Sequence, residues 1–93
     1  MNSNYSLISN IINRHNKTPY YSHNGYNAIN DDRVGRIVMF KIYESDNKVY
    51  ADFRETSQVL SYYYGCALRS ANKEIKSVED FNQKWNSFYN DLH

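Results

Sequence analysis

VGRIVMFKIYESDNKVYADFR, the stretch from Val34 to Arg54, decides how this chain folds. From Val34 to Glu44, Val38, Phe40 and Ile42 alternate with Ile37, Met39 and Lys41, so both sides of an extended segment are apolar over part of its length. Two-sided apolarity is the mark of a central strand. Ser45-Asp46-Asn47-Lys48 supplies turn chemistry. The residues after it alternate cleanly, with Val49, Ala51 and Phe53 inward and Tyr50, Asp52 and Arg54 outward. The pattern predicts an antiparallel hairpin with one covered face.

Working outward toward the N-terminus, Tyr20–His23 and Tyr26–Ile29 flank Asn24-Gly25. That dipeptide suits a type I′ turn, which needs positive φ twice, so a first, smaller hairpin is expected. Without it, residues 16–33 would be a long unstructured loop, uncommon in a small domain. Residues 5–15 place Tyr5, Leu7, Ile8, Ile11 and Ile12 at helical spacings behind Ser3 or Asn4 as N-cap, which predicts an N-terminal amphipathic helix.

Toward the C-terminus, Ser77-Val78-Glu79-Asp80 resembles a capping box with Asp in place of Glu. Val78, Phe81, Trp85, Phe88, Tyr89 and Leu92 follow at three- and four-residue steps, the pattern of a second amphipathic helix. Between hairpin and helix, Thr56 to Ile75 reads two ways. Val59, Leu60, Tyr63, Tyr64, Ala67, Leu68, Ala71 and Ile75 fit a helical stripe, which is the reading preferred here. The run Tyr62-Tyr63-Tyr64 favours a strand, and Gly65 costs about 1 kcal/mol inside a helix. The expected architecture is α+β: one compact domain over residues 1–93, its antiparallel sheet of two to four strands drawn from two hairpins. An N-terminal helix and two C-terminal helices pack against that sheet.

Composition narrows the function classes. With 93 residues, one core is all the chain can build. The hydrophobic fraction of 41% and charged fraction of 23% are those of a folding chain. A mean hydropathy of −0.82 understates the core, because asparagine and tyrosine are penalised while the tyrosine ring still packs. The net charge of +1 creates no whole-molecule field toward nucleic acid or an anionic membrane. The longest apolar run, Ile37 to Phe40, is far below the roughly 20 residues of a membrane span, and no secretory signal pattern opens the chain. One cysteine, Cys66, leaves no internal disulfide and fits a reducing, cytoplasmic setting.

No catalytic motif is present. His15 and His23 with Asp31 and Asp32 lack the spacing of a metal site, and Cys66 on a tyrosine-rich segment reads as a small packing residue rather than a nucleophile. Asp31-Asp32, Glu44/Asp46 and Glu79-Asp80 fall in a loop, a turn and a helix start, where carboxylates serve turns and helix dipoles. With glycine only at positions 25, 35 and 65, there is no phosphate-cradling loop. The expectation is a non-enzymatic chain with no cofactor and no metal.

What stands out is tyrosine, ten in all. Its ring joins a large apolar face to a polar tip, and tyrosine and arginine dominate the binding energy of many interfaces. The candidate partner-binding residues are Tyr20, Tyr21, Tyr26, Tyr43, Tyr50 and Tyr62. Tyr5 and Tyr89 are assigned to packing, and so are Tyr63 and Tyr64 if the helix reading holds. The alternative is a nucleic-acid surface, with Arg69, Lys73 and Lys76 on a helical ridge beside Arg36 and Lys41 of the hairpin and rings to stack bases. The protein-binding reading is preferred, and a homodimer would also suit such a surface. In size and lack of motifs the chain is similar to phage and mobile-element inhibitors of host defence or nucleic-acid-processing enzymes, anti-CRISPR proteins among them. That likeness implies stoichiometric action by occlusion of a partner's working surface.

Overall fold

A computed structural model of the chain describes residues 3–15, 18, 20–59 and 67–91. Helix α1 (Ser3–His15) is followed by strands β1 (Tyr21–His23), β2 (Tyr26–Asp31), β3 (Arg36–Ser45), β4 (Lys48–Ser57) and β5 (Arg69–Ile75), and helix α2 (Val78–Asn90) closes the order. The strands form one antiparallel sheet in the order β1-β2-β3-β4-β5, so each strand lies beside its sequence neighbours. β3 is central, as its two apolar sides require.

The turns follow from residue chemistry. Asn24 and Gly25 take φ of 52° and 85°, and Asp46 and Asn47 take 54° and 63°, the paired positive angles of type I′ hairpins. Between β2 and β3, Asp31 Oδ1 accepts from the Arg33 backbone N–H at 3.1 Å, a local bond that bends the chain.

Both helices lie on one side of the sheet. Val38, Phe40, Val49, Ala51, Phe53 and Ile75 face them and pack with Ile11 of α1 and Phe81, Trp85 and Phe88 of α2 into the main core. Phe40 touches Phe81 and Trp85 edge-on, with ring centroids 5.0 Å apart in each case. α2 starts where expected. Ser77 caps it by accepting from the Asp80 N–H, while Asp80 reaches back to accept from the Lys76 N–H at 2.9 Å.

The sequence reading needs three corrections. Arg69–Ile75 is a strand, not the continuation of a helix, so the sheet has five strands and a single helix follows it. The helical stripe through Leu68, Ala71 and Ile75 is outweighed by pairing: as a strand, this segment satisfies the outer edge of β4 and sets Arg69 opposite Glu55 and Ile75 opposite Val49. α1 starts at Ser3, so Asn4 lies within the helix, and its side chain donates to the Asn47 carbonyl at 2.8 Å. Tyr5 does not pack: it is 72% exposed on the outer side of α1. Residues 60–66, with Tyr62, Tyr63, Tyr64 and Gly65, lie outside the described residues, as does Leu92.

Candidate protein-binding face

Alternation along the strands divides the candidate residues between two sides of the sheet. On the side away from the helices, β1 contributes Tyr21 and His23, β2 contributes Tyr26, β3 Lys41 and Tyr43, β4 Tyr50, Asp52 and Arg54, and β5 Asn72 and Glu74. No described helix or strand covers these residues. Beneath Tyr26 on the same side, Ala28, Ile37 and Met39 form a small buried cluster. It gives the ring an apolar footing.

Tyr43 and Tyr50 are directly opposed across β3 and β4 and stack, with centroids 5.5 Å apart and planes 23° from parallel. Asn72 of β5 donates to the Tyr43 hydroxyl at 2.7 Å. Nearby, the Tyr26 hydroxyl donates to Asp52 Oδ2 at 2.6 Å, with the Arg54 guanidinium 5.2 Å and Lys41 Nζ 5.9 Å from its ring centroid. Arg54 also pairs with Asp52 at 3.3 Å. At the rim, the Tyr21 hydroxyl donates to Asn30 Oδ1 at 2.7 Å.

These bonds fix the rings before any partner arrives, which reduces the rotamer entropy lost on binding. They also perturb Tyr26. Burial of its ring, reinforced by the hydrogen bond to the Asp52 carboxylate and that group's charge, pushes the phenol up to about 12, with Arg54 opposing. The hydroxyl remains a donor throughout the physiological range. Burial also raises the Tyr21 phenol.

Not every candidate joins this face. Tyr20 lies on the helix side, bonded to His15 Nδ1 at 3.0 Å and edge-on to Phe40 and Trp85. Tyr62 lies outside the described residues. The basic ridge survives only in part: Arg69 and Lys73 share the helix side of β5, away from the tyrosine face, and Lys76 follows the strand's end. Arg36 and Arg69 both turn to Glu55, at 3.3 Å and 2.9 Å. Arg69 also donates to the Phe88 carbonyl at 2.6 Å. Of the five cationic candidates, only Lys41 stands on the tyrosine face.

Comparison with protein-family models, curated proteins and solved structures returned no match.

The polar interior shows what the sequence reading did not foresee. His15 spans the Tyr20 hydroxyl and Asn82 Oδ1, at 3.0 Å and 3.2 Å, and its ring stands edge-on to Phe81, so this histidine ties α1 to α2. Beside it is a cavity of about 170 Å³ lined by Ile12, His15, Thr18, Tyr20, Asn27 and Phe40. Ligand pockets usually start at about 300 Å³. Asp31 is buried at the end of β2, where its carboxylate accepts from the Arg33 guanidinium and from the Tyr89 hydroxyl at 3.0 Å. Chiefly through the Arg33 bonds, its carboxyl is lowered to about 2. No group of three or more metal-ligating side chains occurs among the described residues.

Proposed function

We propose that this chain is a small non-enzymatic binding protein that acts stoichiometrically, seating the side of the sheet opposite the helices on a protein partner and occluding that partner's working surface. The observation that carries the reading is the gathering of Tyr21, Tyr26, Tyr43 and Tyr50 onto one side of the sheet, with the hydroxyls of Tyr21, Tyr26 and Tyr43 engaged by neighbouring side chains and Tyr50 stacked on Tyr43. Ordered amphipathic rings with a few fixed charges are the composition of protein-interface hot spots. The nucleic-acid alternative is weaker, because Glu55 engages Arg36 and Arg69, while Asp52 pairs with Arg54. A phosphate backbone needs uncompensated cations in a row. The partner class we assign is a host defence or nucleic-acid-processing enzyme, on the likeness in size and style to mobile-element inhibitors.

The test is affinity capture from the native host with and without nuclease, using the natural chain and a Tyr26→Ser/Tyr50→Ser variant. The reading expects a protein captured in equimolar amount, indifferent to nuclease and lost with the variant while the variant's fold is retained. Capture that vanishes with nuclease, or that the variant leaves unchanged, would refute it.

A further inference from the structure

The two edges of the sheet differ. β1 is three residues long, whereas β5 runs for seven and no described strand pairs with its outer side. An edge of that length presents a row of unpaired N–H and C=O groups, the usual template for an added strand. On the helix side of this edge, between β5 and α2, runs a groove of about 320 Å³. Phe53, Ala71 and Phe88 give it an apolar floor, and Arg69, Lys73 and Lys84 stand around it with Asp91 as the sole carboxylate in the lining. Lys84 is held by Asp80 and by the Glu74 carbonyl, and Arg69 by Glu55, whereas Lys73 is exposed and makes no ion pair among the described residues.

We propose that β5 receives an extended acidic segment of a protein partner as an additional strand, a surface separate from the tyrosine face. Side chains of an added strand that point toward α2 fall opposite Arg69, Ala71 and Lys73, because these three share that side of β5. The small Ala71 leaves room for an apolar side chain over Phe53 and Phe88. Of the carboxylates two positions to either side of it, one meets the unpaired Lys73 and the other lies beside Arg69, whose charge Glu55 shares. The recognised pattern is thus acidic, any, apolar, any, acidic. A second copy of this chain fits less well, since two-fold pairing about Asn72 brings the Lys73 of each copy onto the same side, about 7–8 Å apart on the diagonal. The lysine that guards the edge against self-pairing is the one that selects an anionic strand.

The probe is the blocked peptide acetyl-Thr-Glu-Thr-Val-Thr-Glu-Thr-amide, whose pattern reads the same in both strand directions. It is titrated into the isotope-labelled full chain and followed by amide NMR and hydrogen exchange. The expected result is shift changes confined to β5 and the facing side of α2, slowed exchange of β5 amides, and affinity weakened about tenfold by Lys73→Glu. Lys73 is exposed, so that variant should keep the fold, which the same spectra report. The proposal is overturned if β5 does not respond, if a lysine-for-glutamate peptide or a backbone N-methylated peptide binds equally well, or if the shifts fall on Tyr26, Tyr43 and Tyr50 instead. Concentration-dependent protection of β5 without peptide would seat a second copy there and overturn it as well.

Discussion

Replacing Glu55 with alanine should be among the most destabilising single changes in this protein. Its side chain is 7% exposed and stands between two guanidinium groups, Arg69 Nε at 2.9 Å and Arg36 Nε at 3.3 Å, which are themselves 30% and 31% exposed. At an effective dielectric of about 20, each unit-charge pair at such separations is worth about 5–6 kcal/mol before desolvation is subtracted. Removing one member of a buried network costs about 3–5 kcal/mol, since the remaining charges lose their partner. Partial exposure of both arginines lets water screen them, which lowers the expected loss for Glu55→Ala to about 2–4 kcal/mol. Glu55→Gln keeps the shape and an acceptor, so its loss should be about half as large, about 1–2 kcal/mol.

Urea denaturation at neutral pH reads these differences directly, and Tm should fall by about 4–8 °C per kcal/mol for a domain of this size. Hydrogen exchange should quicken first at the end of α2, because Arg69 also holds the Phe88 carbonyl and lies 3.8 Å from the centroid of the Phe88 ring. Replacing Glu55, Arg36 and Arg69 together by apolar residues of similar volume should recover most of the stability. A loss below about 1 kcal/mol for Glu55→Ala, or equal losses for alanine and glutamine, would refute the reasoning. The first outcome would mean that the pair is solvated, and the second that the lost charge alone sets the cost, the shape and acceptor kept by glutamine contributing nothing.

Other consequences concern single groups. The Asp31 carboxyl is lowered to about 2, so its contribution is complete above the ordinary aspartate range and is lost as pH falls toward 2; acid titration of stability should be shallower for Asp31→Asn than for the natural chain. The Tyr26 phenol, raised to about 12, adds stability that is present below the ordinary tyrosine value and lost as pH climbs through 12. Phenolate absorbance should show the Tyr26 midpoint falling in Asp52→Asn but remaining raised, because burial is the larger cause; an unchanged midpoint would count against the bond. Gly25→Ala meets nothing within 4 Å, so its cost is torsional, about 1 kcal/mol for φ of +85°, measurable by denaturation and confined in hydrogen exchange to the β1–β2 hairpin.

Much of the fold was legible because it rests on local rules. Asn24-Gly25 and Asp46-Asn47 take the positive φ that their residue types favour, and the alternation from Val49 to Arg54 placed each side chain on its correct face. Ser77 marked the start of α2. β5 was not legible, since Ala71 and Ile75 satisfy a helical stripe and a strand alternation alike, and only the free edge of β4 chooses between them. The same ambiguity put Arg69, Lys73 and Lys76 on a ridge that strand geometry reduces to Arg69 and Lys73 on the helix side of β5, with Lys76 beyond the strand's end. Tyr20 and Tyr21 are neighbours in sequence, yet they go to opposite sides of the sheet: Tyr20, just before β1, packs on Phe40 and Trp85, and Tyr21, the first residue of β1, bonds to Asn30.

By itself, then, the sequence determined the type I′ turn at Asn24-Gly25, the position of the turn at Ser45–Lys48, the central strand, the inward and outward sets of β4 and the aromatic stripe of α2. Each is a property of a few adjacent residues. Only the tertiary structure decided the fifth strand, the capture of Arg36 and Arg69 by Glu55, and the gathering of Tyr21, Tyr26, Tyr43 and Tyr50 on one side of the sheet. Those outcomes depend on which strand lies beside which. Residues distant in sequence become neighbours through backbone pairing, and a carboxylate buried between strands then draws in cations that the sequence alone leaves free for solvent.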